Sequence, residues 1–259
     1  MKNILISRIS FAAILAVALG TLAVKTQAQD VISWNLDNNS TIQPTGAAGL
    51  VLATNWTDTW LNNVTVNLPD NHGNATTMDL AYGSPNGITY SIGSHPGQDA
   101  DGSYNRELLN GYLNAGMAGW NPPSINSYVT LSQIPYSQYD IYVYFSSDVA
   151  NRIGNVTDGT TTYYFSTIGP AEVSGANALF TQTTDTSGSH PLADYAIFSG
   201  LTGSSQTISC QMEVIELWGG IAGFQIVAVP EPGVMALAGI GGLGLLLMRR
   251  RTRRSGCDR

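Results

Sequence analysis

The stretch 139–147, YDIYVYFSS, decides the fold class of this chain. Ile141, Val143 and Phe145 alternate with two tyrosines, so that aliphatic and aromatic side chains recur at every second position. Side chains of a β-strand alternate between the two faces of a sheet, whereas those of a helix repeat every 3.6 residues. The stretch therefore predicts a β-strand that packs one face into a core.

Short segments with similar patterning run along the chain on both sides of this stretch. Turns rich in Gly, Pro, Asn and Asp, such as 70–73, 84–87 and 158–159, separate them. Many short strands joined by such turns are typical of an antiparallel β-sandwich, and we expect one exported domain over residues 29–228. The other predicted strands are 32–36, 50–53, 64–68, 78–82, 89–92, 128–131, 161–166, 179–183, 195–199, 208–214 and 221–227.

One helix is expected inside this domain. In the stretch 105–116, NRELLNGYLNAG, the apolar residues Leu108, Leu109, Tyr112 and Leu113 recur at helical spacing. The glycine that closes the stretch is suited to end a helix. We expect a short helix that caps one end of the sandwich.

The N-terminus has the pattern of a secretory signal peptide. Lys2 and Arg8 precede the apolar stretch 9–24, and small residues lead to Ala28. A positive start, an apolar centre and a small-residue site are the three features of such a signal. We expect residues 1–28 to form a signal helix that engages the Sec export machinery and is cut after Ala28. An uncleaved membrane anchor is the alternative.

The C-terminus has the pattern of a membrane segment. Residues 233–248 carry no charge, and as a helix they would span about 24 Å, somewhat less than a hydrocarbon core of about 30 Å. An arginine cluster follows, and basic residues hold a segment's end in the cytoplasm. The cluster consists of Arg249, Arg250, Arg251, Arg253 and Arg254. We therefore expect a transmembrane helix followed by a cytoplasmic tail, 255–259.

A plain anchor does not explain Pro230, Glu231 and Pro232, which precede this segment. Two prolines in three residues disfavour helix and strand, and so they favour a stiff extended segment at the membrane boundary. Over residues 229–254, this motif is followed by an apolar helix and then by an arginine cluster. This order resembles the PEP-CTERM sorting signal of Gram-negative bacteria. The resemblance implies a partner, the membrane protease exosortase, and an inner-membrane-anchored precursor that passes to the cell envelope or the extracellular matrix.

The charge of the exported part excludes one class of partner. Residues 29–232 contain 17 acidic residues but only two basic ones, Arg106 and Arg152, which gives a net charge of −15. Nucleic acids are excluded, because phosphate contacts need lysine or arginine. Of the two cysteines, Cys210 lies in a predicted strand and Cys257 in the predicted tail. We expect no disulfide, and we expect Cys210 to be a buried core residue.

Two sets of residues are candidates for ligand binding. Trp56, Trp60 and Trp120 lie among polar or turn residues, and aromatic rings stack on sugars; packing in the fold is the alternative. Oxygen ligands in the loop 98–105 are a candidate calcium site, although the loop departs from the EF-hand pattern and an ordinary turn is the alternative. These ligands are Asp99, Asp101 and Asn105.

A second resemblance concerns the whole exported part. The segments AGLVLATNWTDTW (48–60), LLNGYL (108–113), YDIYVYF (139–145) and IAGFQIV (221–227) follow one another in this order. This layout is similar to a jelly-roll, galactose-binding-like domain that is common in PEP-CTERM proteins. The resemblance implies a fold rather than an activity.

No catalytic constellation is visible in the sequence. The histidines lie in loops without metal-ligand spacing, and Glu213 and Glu216 form no evident glycosidase pair. We therefore expect no enzyme and no required cofactor. The predicted function of the exported domain is structural or adhesive, and a carbohydrate-binding module that recognises extracellular polysaccharide is the alternative.

Overall fold

A computed structural model describes residues 29–36, 44–58, 64–83, 88–90, 98–115, 126–169, 180–213 and 218–230. The predicted signal segment 1–28, the predicted membrane segment 233–248 and the arginine cluster lie outside these residues. Within the described ranges, no helix is both long and apolar enough to cross a membrane.

The regular secondary structure of the described chain is almost entirely β, as the alternating patterns predict. Its one helix is α1 (Asn105–Leu108). The strands are β1 (Val31–Asn35), β2 (Trp56–Asp58), β3 (Val64–Thr65), β4 (Asp79–Gly83), β5 (Ile88–Tyr90), β6 (Gly111–Asn114), β7 (Asn126–Ser132), β8 (Gln138–Ser147), β9 (Ile153–Thr157), β10 (Thr162–Thr167), β11 (Leu192–Ala193), β12 (Tyr195–Thr202), β13 (Ser205–Met212) and β14 (Gly219–Ala228).

The strands form two sheets of seven strands each. The first sheet has the order β12-β8-β14-β1-β2, with β6 pairing β14 and β5 pairing β6. The second sheet has the order β11-β10-β9-β13-β7-β4-β3. The stretch that suggested the fold becomes β8, which pairs along its length with β12 and β14.

The expectation of purely antiparallel sheets is wrong at two edges. β2 lies parallel to β1, and β11 lies parallel to β10. Parallel neighbours need a long connection rather than a tight hairpin. The connections between these strands, 36–55 and 168–191, are long enough to bring the chain back in the same direction, so both sheets are mixed.

The main core lies between the two sheets, as in a β-sandwich, because one buried cluster draws on both of them. Trp34 on β1 lies 5.0 Å from the ring of Phe224 and 5.9 Å from that of Tyr82 in the opposite sheet. Phe145 and Phe165 stack across the core at 3.8 Å. These contacts confirm the mainly β fold, while the jelly-roll type of the domain stays a prediction.

The predicted helix is mostly wrong. α1 has only four residues, and Gly111–Asn114 forms β6 instead. Leu113 and Asn114 pair with Ile221 and Gly220 of β14, so sheet pairing overrides the helical spacing. The leucines of the stretch are buried nonetheless, which means that the apolar pattern identified the buried residues but not their secondary structure.

A second layer covers the outer face of the first sheet. This covering layer consists of residues 44–55, α1 and residues 180–183, and its apolar cluster includes Leu108, Leu109 and Tyr144. The polar residues Ser33 and Asn35, which alternate with the core residues of β1, are therefore buried as well. The segment 50–53, predicted as a strand, forms a turn of this layer that a single bridge between residues 48 and 53 closes.

Candidate functional site

The covering layer is tied to the first sheet by a buried polar network around Gln225. The Gln225 amide donates to Val51 O at 2.6 Å and to Ser33 Oγ at 3.2 Å. Tyr144 Oη donates to Gln225 Oε1 at 2.7 Å and accepts from Leu50 N at 2.8 Å. These bonds satisfy polar groups that would otherwise be costly to bury, and so they hold the loop 48–53 against the sheet.

Trp56, the first predicted sugar-binding residue, begins β2 of the first sheet and packs against the cluster under the covering layer. Its indole N–H donates to Ala53 O at 2.9 Å, and its ring lies edge-on to Tyr144 at 6.3 Å. These contacts give Trp56 a structural role in packing and in closing the loop. Trp60 and Trp120, the other two predicted residues, lie outside the described residues.

The predicted calcium ligands lie together at the start of α1, but their oxygens already have partners in the protein. Asp99 is buried and its Oδ1 lies 2.5 Å from Arg106 Nε. Asp101 Oδ1 accepts from Ser103 Oγ at 2.7 Å, and Asn105 Oδ1 accepts from Gly49 N at 2.9 Å. The described residues contain no group of three acidic, histidine or cysteine side chains arranged to hold a metal. Calcium binding at this loop stays a prediction.

Cys210 lies in the core, as its strand pattern predicts. It is fully buried in β13, and burial raises the pKa of its thiol to about 12. A thiol with such a pKa is not a nucleophile at neutral pH.

A histidine–carboxylate pair is a feature that sequence reasoning missed. His190 Nε2 lies 2.8 Å from Glu213 Oε1, and the His190 ring lies edge-on to Tyr164 at 5.4 Å. The two residues are 23 positions apart in sequence. No local sequence pattern predicts this pair, because His190 and Glu213 come together only through the pairing of β9, β10 and β13.

The two ends of the described domain meet at one end of the central strands of the first sheet, a place that we call the exit corner. It comprises Gln29, Asp30, Ala228 and Val229. Ala228 N donates to Asp30 O at 2.9 Å, and Gln29 Nε2 donates to Ala228 O at 2.6 Å. Val229 N donates to Gln138 O at 2.9 Å. Both chain ends therefore leave the domain side by side.

The predicted sorting motif begins at the first residue beyond these hydrogen bonds. Pro230 is exposed and directly follows Val229, the last residue whose backbone N–H is bonded to the sheet. Proline has no N–H to continue the ladder, so the sheet ends here. Glu231 and Pro232 lie outside the described residues.

One comparison with known protein families bears on this segment. Residues 228–251 match the family model of the PEP-CTERM protein-sorting motif. The match covers Pro230, Glu231, Pro232, the apolar run and the first three arginines of the cluster. No curated protein matches the chain. The match supports export through an exosortase-type sorting system, by way of a membrane-anchored precursor that is sorted to the cell surface.

Proposed function

We propose that this chain is an exosortase substrate whose exported β-domain serves as a structural or adhesive component of the cell envelope or extracellular matrix. The observation that carries the proposal is the continuity between β14 and the sorting motif at the exit corner. The last bonded residue, Val229, is followed at once by Pro230, so no linker separates the domain from its signal.

This continuity sets the position of the domain in the precursor. Three residues, 230–232, separate the sheet from the apolar run, and fully extended they reach about 10 Å. The domain would therefore rest against the outer surface of the inner membrane until the processing enzyme cuts the chain. Because this connection is so short, the domain could move away from the membrane only after cleavage.

The charge and chemistry of the domain also favour a role outside the cell. The net charge of −15 over residues 29–232 keeps a protein soluble and disfavours anionic polymers. Buried polar side chains of the first sheet, such as Gln225 and Tyr144, hold the loops of the covering layer in place, which suits a scaffold. We therefore propose a non-catalytic role and no required cofactor.

Processing is tested with two epitopes, one in the loop 158–161 and one after Arg259. We expect the mature protein outside the inner membrane to retain the first epitope and to lack the second. A triple alanine variant of residues 230–232 should stay in the inner membrane with both epitopes. Pro191→Ala changes an exposed proline inside the domain and is the matched control, which should be processed normally.

Two results would overturn the proposal. Full-length protein carrying both epitopes in the outer matrix would contradict processing. Processed domain found only in the free medium, with none in the envelope or matrix fraction, would contradict the structural or adhesive role while leaving the sorting step intact.

A further inference from the structure

The outer face of the second sheet presents a flat polar surface, which we call the hydroxyl–amide face. It is formed by β4, β7, β13, β9 and β10, neighbours in one antiparallel array. Along β7 and β13 buried and more exposed residues alternate, so every second side chain points away from the core. Five strands about 4.8 Å apart give the face a width of about 19 Å.

The register aligns polar side chains into rows across these strands. One row joins Thr130 to Thr207, whose hydroxyls are 3.1 Å apart. The next row joins Tyr128, Ser209 and Thr157. Each of these groups both donates and accepts hydrogen bonds, as hydroxyl groups do.

A third row continues the same chemistry with amides. Gln211 pairs with Asn155, and Asn155 pairs with Tyr164 on β10. The three rows therefore carry hydroxyls and amides but no charged side chain. Charged residues border the rows: Asp79 lies on β4 at one end of the face, Glu213 lies at the other end, and Asp158 directly follows Thr157. The Glu213 carboxylate accepts from Asn155 Nδ2 at 3.5 Å and pairs with His190.

The domain carries 17 acidic and two basic residues between residues 29 and 232, and none of them belongs to the three rows. Rows without charged side chains suit an uncharged ligand. The ligand must also offer many hydrogen-bonding groups, because the face is not apolar.

An aromatic ring lies on the β4 side of this face. Tyr128 is 49% exposed, and it pairs directly with Gly83 on β4. A Cβ atom at Gly83 would clash with Cζ of Tyr128, so the ring leans along the sheet over the bare glycine backbone. A ring in this position leaves its other side open to solvent, as a platform for stacking.

We propose that the hydroxyl–amide face binds a neutral polysaccharide chain, with Tyr128 stacking on a sugar ring and the flanking hydroxyls and amides bonding its hydroxyl groups. The proposal rests on the proposed function, because a location in the matrix brings the face to its ligand. A protein partner fits less well, since protein interfaces are depleted in serine and have more aromatic, apolar centres. A second copy of this chain is the competing occupant that the experiment has to distinguish.

The test uses the full-length chain in mild detergent, run through native gels that contain dextran, hydroxyethyl cellulose, galactomannan or alginate. We expect retardation in at least one neutral gel and none in alginate, which is anionic. Tyr128→Ala should weaken the retardation about tenfold, while Tyr128→Phe, which keeps the ring, should retain it. Urea unfolding of both variants confirms that they fold.

A charge placed on the face gives an independent test. Ser209→Asp lies in the Tyr128 row and should abolish the retardation, whereas Ser199→Asp, on an exposed position of β12 in the other sheet, should not. Sedimentation of the same proteins shows whether the wild type self-associates.

Several outcomes would overturn the proposal. Among them are unretarded migration of the wild type in every neutral gel, and equal retardation of wild type and Tyr128→Ala. A loss of retardation in Trp120→Ala alone would place the sugar site at the tryptophans instead. A wild-type dimer that Ser209→Asp dissociates would make the face a self-interface. None of these results affects epitope processing, so failure here is distinguishable from failure of the proposed function.

Discussion

Val31 and Val227 are direct partners in the antiparallel pairing of β1 with β14. Val31 is the third residue after the expected signal cleavage site, and Val227 is the third residue before the sorting motif. The first and last strands of the domain thus lie side by side at the centre of the first sheet, and both chain ends leave it toward one side. A precursor with a membrane segment at each end can therefore keep the folded domain on a single side of the membrane.

This pairing predicts a disulfide between cysteines placed at the two positions. The bonds between Ala228 and Asp30 and between Leu36 and Ala222 fix the ladder, so that residues 31 and 227 form a non-hydrogen-bonded pair. Such pairs have Cα atoms about 4.5 Å apart, within the range for a disulfide. We expect Val31→Cys/Val227→Cys, in a Cys257→Ser background, to oxidise readily, as read by a mobility shift without reductant.

The matched control moves one cysteine by a single residue. Val31→Cys/Ile226→Cys places the two side chains on opposite faces of the sheet and should not form a bond. Equal oxidation of both pairs would show that the register of β1 against β14 differs from the one described.

The network around Gln225 should contribute strongly to stability. Replacing Gln225 by methionine keeps the volume but removes the bonds to Val51, Ser33 and Tyr144, and it leaves their buried polar groups without this partner. We expect the free energy of unfolding in urea to fall by about 2–3 kcal/mol. Gln211→Met, on the exposed face of β13, is the control and should change it by less than about 0.5 kcal/mol.

The patterns of the sequence predicted the sheets better than the layers around them. Alternation along residues 139–147 and 221–227 identified β8 and β14, because each of these strands has one face in the main core. It did not reveal the covering layer, since that layer depends on contacts between distant segments, such as Gln225 with Val51. The same reason explains why helical spacing around Leu113 was overridden by pairing with β14.

The candidate sites also differ in how far the sequence alone can reveal them. The sorting motif is a contiguous signal, so the sequence contains it in full. The hydroxyl–amide face draws on five strands, and only their register places Tyr128 over Gly83 and beside Ser209. The tryptophans are prominent in the sequence as candidate sugar-stacking residues, yet Trp56 packs against Tyr144, and the exposed ring on the hydroxyl–amide face is that of Tyr128.

Cys210 should be unreactive in the folded protein. It is fully buried, and burial raises its thiol pKa to about 12, so almost no thiolate exists at pH 8. In a Cys257→Ser variant we expect no reaction with Ellman's reagent in buffer and one thiol per chain in 6 M guanidinium. Rapid reaction in buffer would mean that β13 is open to solvent.

Asp194 should make the domain more stable in mild acid than at pH 8. It is buried, its Oδ1 accepts from Thr181 N at 2.7 Å, and its Oδ2 has no hydrogen-bond partner among the described residues. Burial raises the pKa of Asp194 from 3.8 to about 7. Between about pH 4 and about pH 7, Asp194 is protonated in the folded state and ionised in the unfolded chain. The contribution of the Asp194 proton to the free energy of unfolding therefore falls as the pH rises from about 4 to about 7, and it is absent above about pH 7.

Asp194→Asn isolates this contribution, because the amide keeps the acceptor and carries no charge. We expect the variant to gain stability over the wild type as the pH rises from 5 to 8, by at most about 3 kcal/mol in urea unfolding. Asp185→Asn is the control of opposite sign. Hydrogen bonds from the Ser187 side chain and from loop backbone groups lower the Asp185 pKa to about 2, so this variant should be less stable than the wild type at pH 8 and approach it near pH 2. A stability difference between wild type and Asp194→Asn that stays constant from pH 5 to 8 would show that Asp194 is ionised throughout, with a partner for its second oxygen.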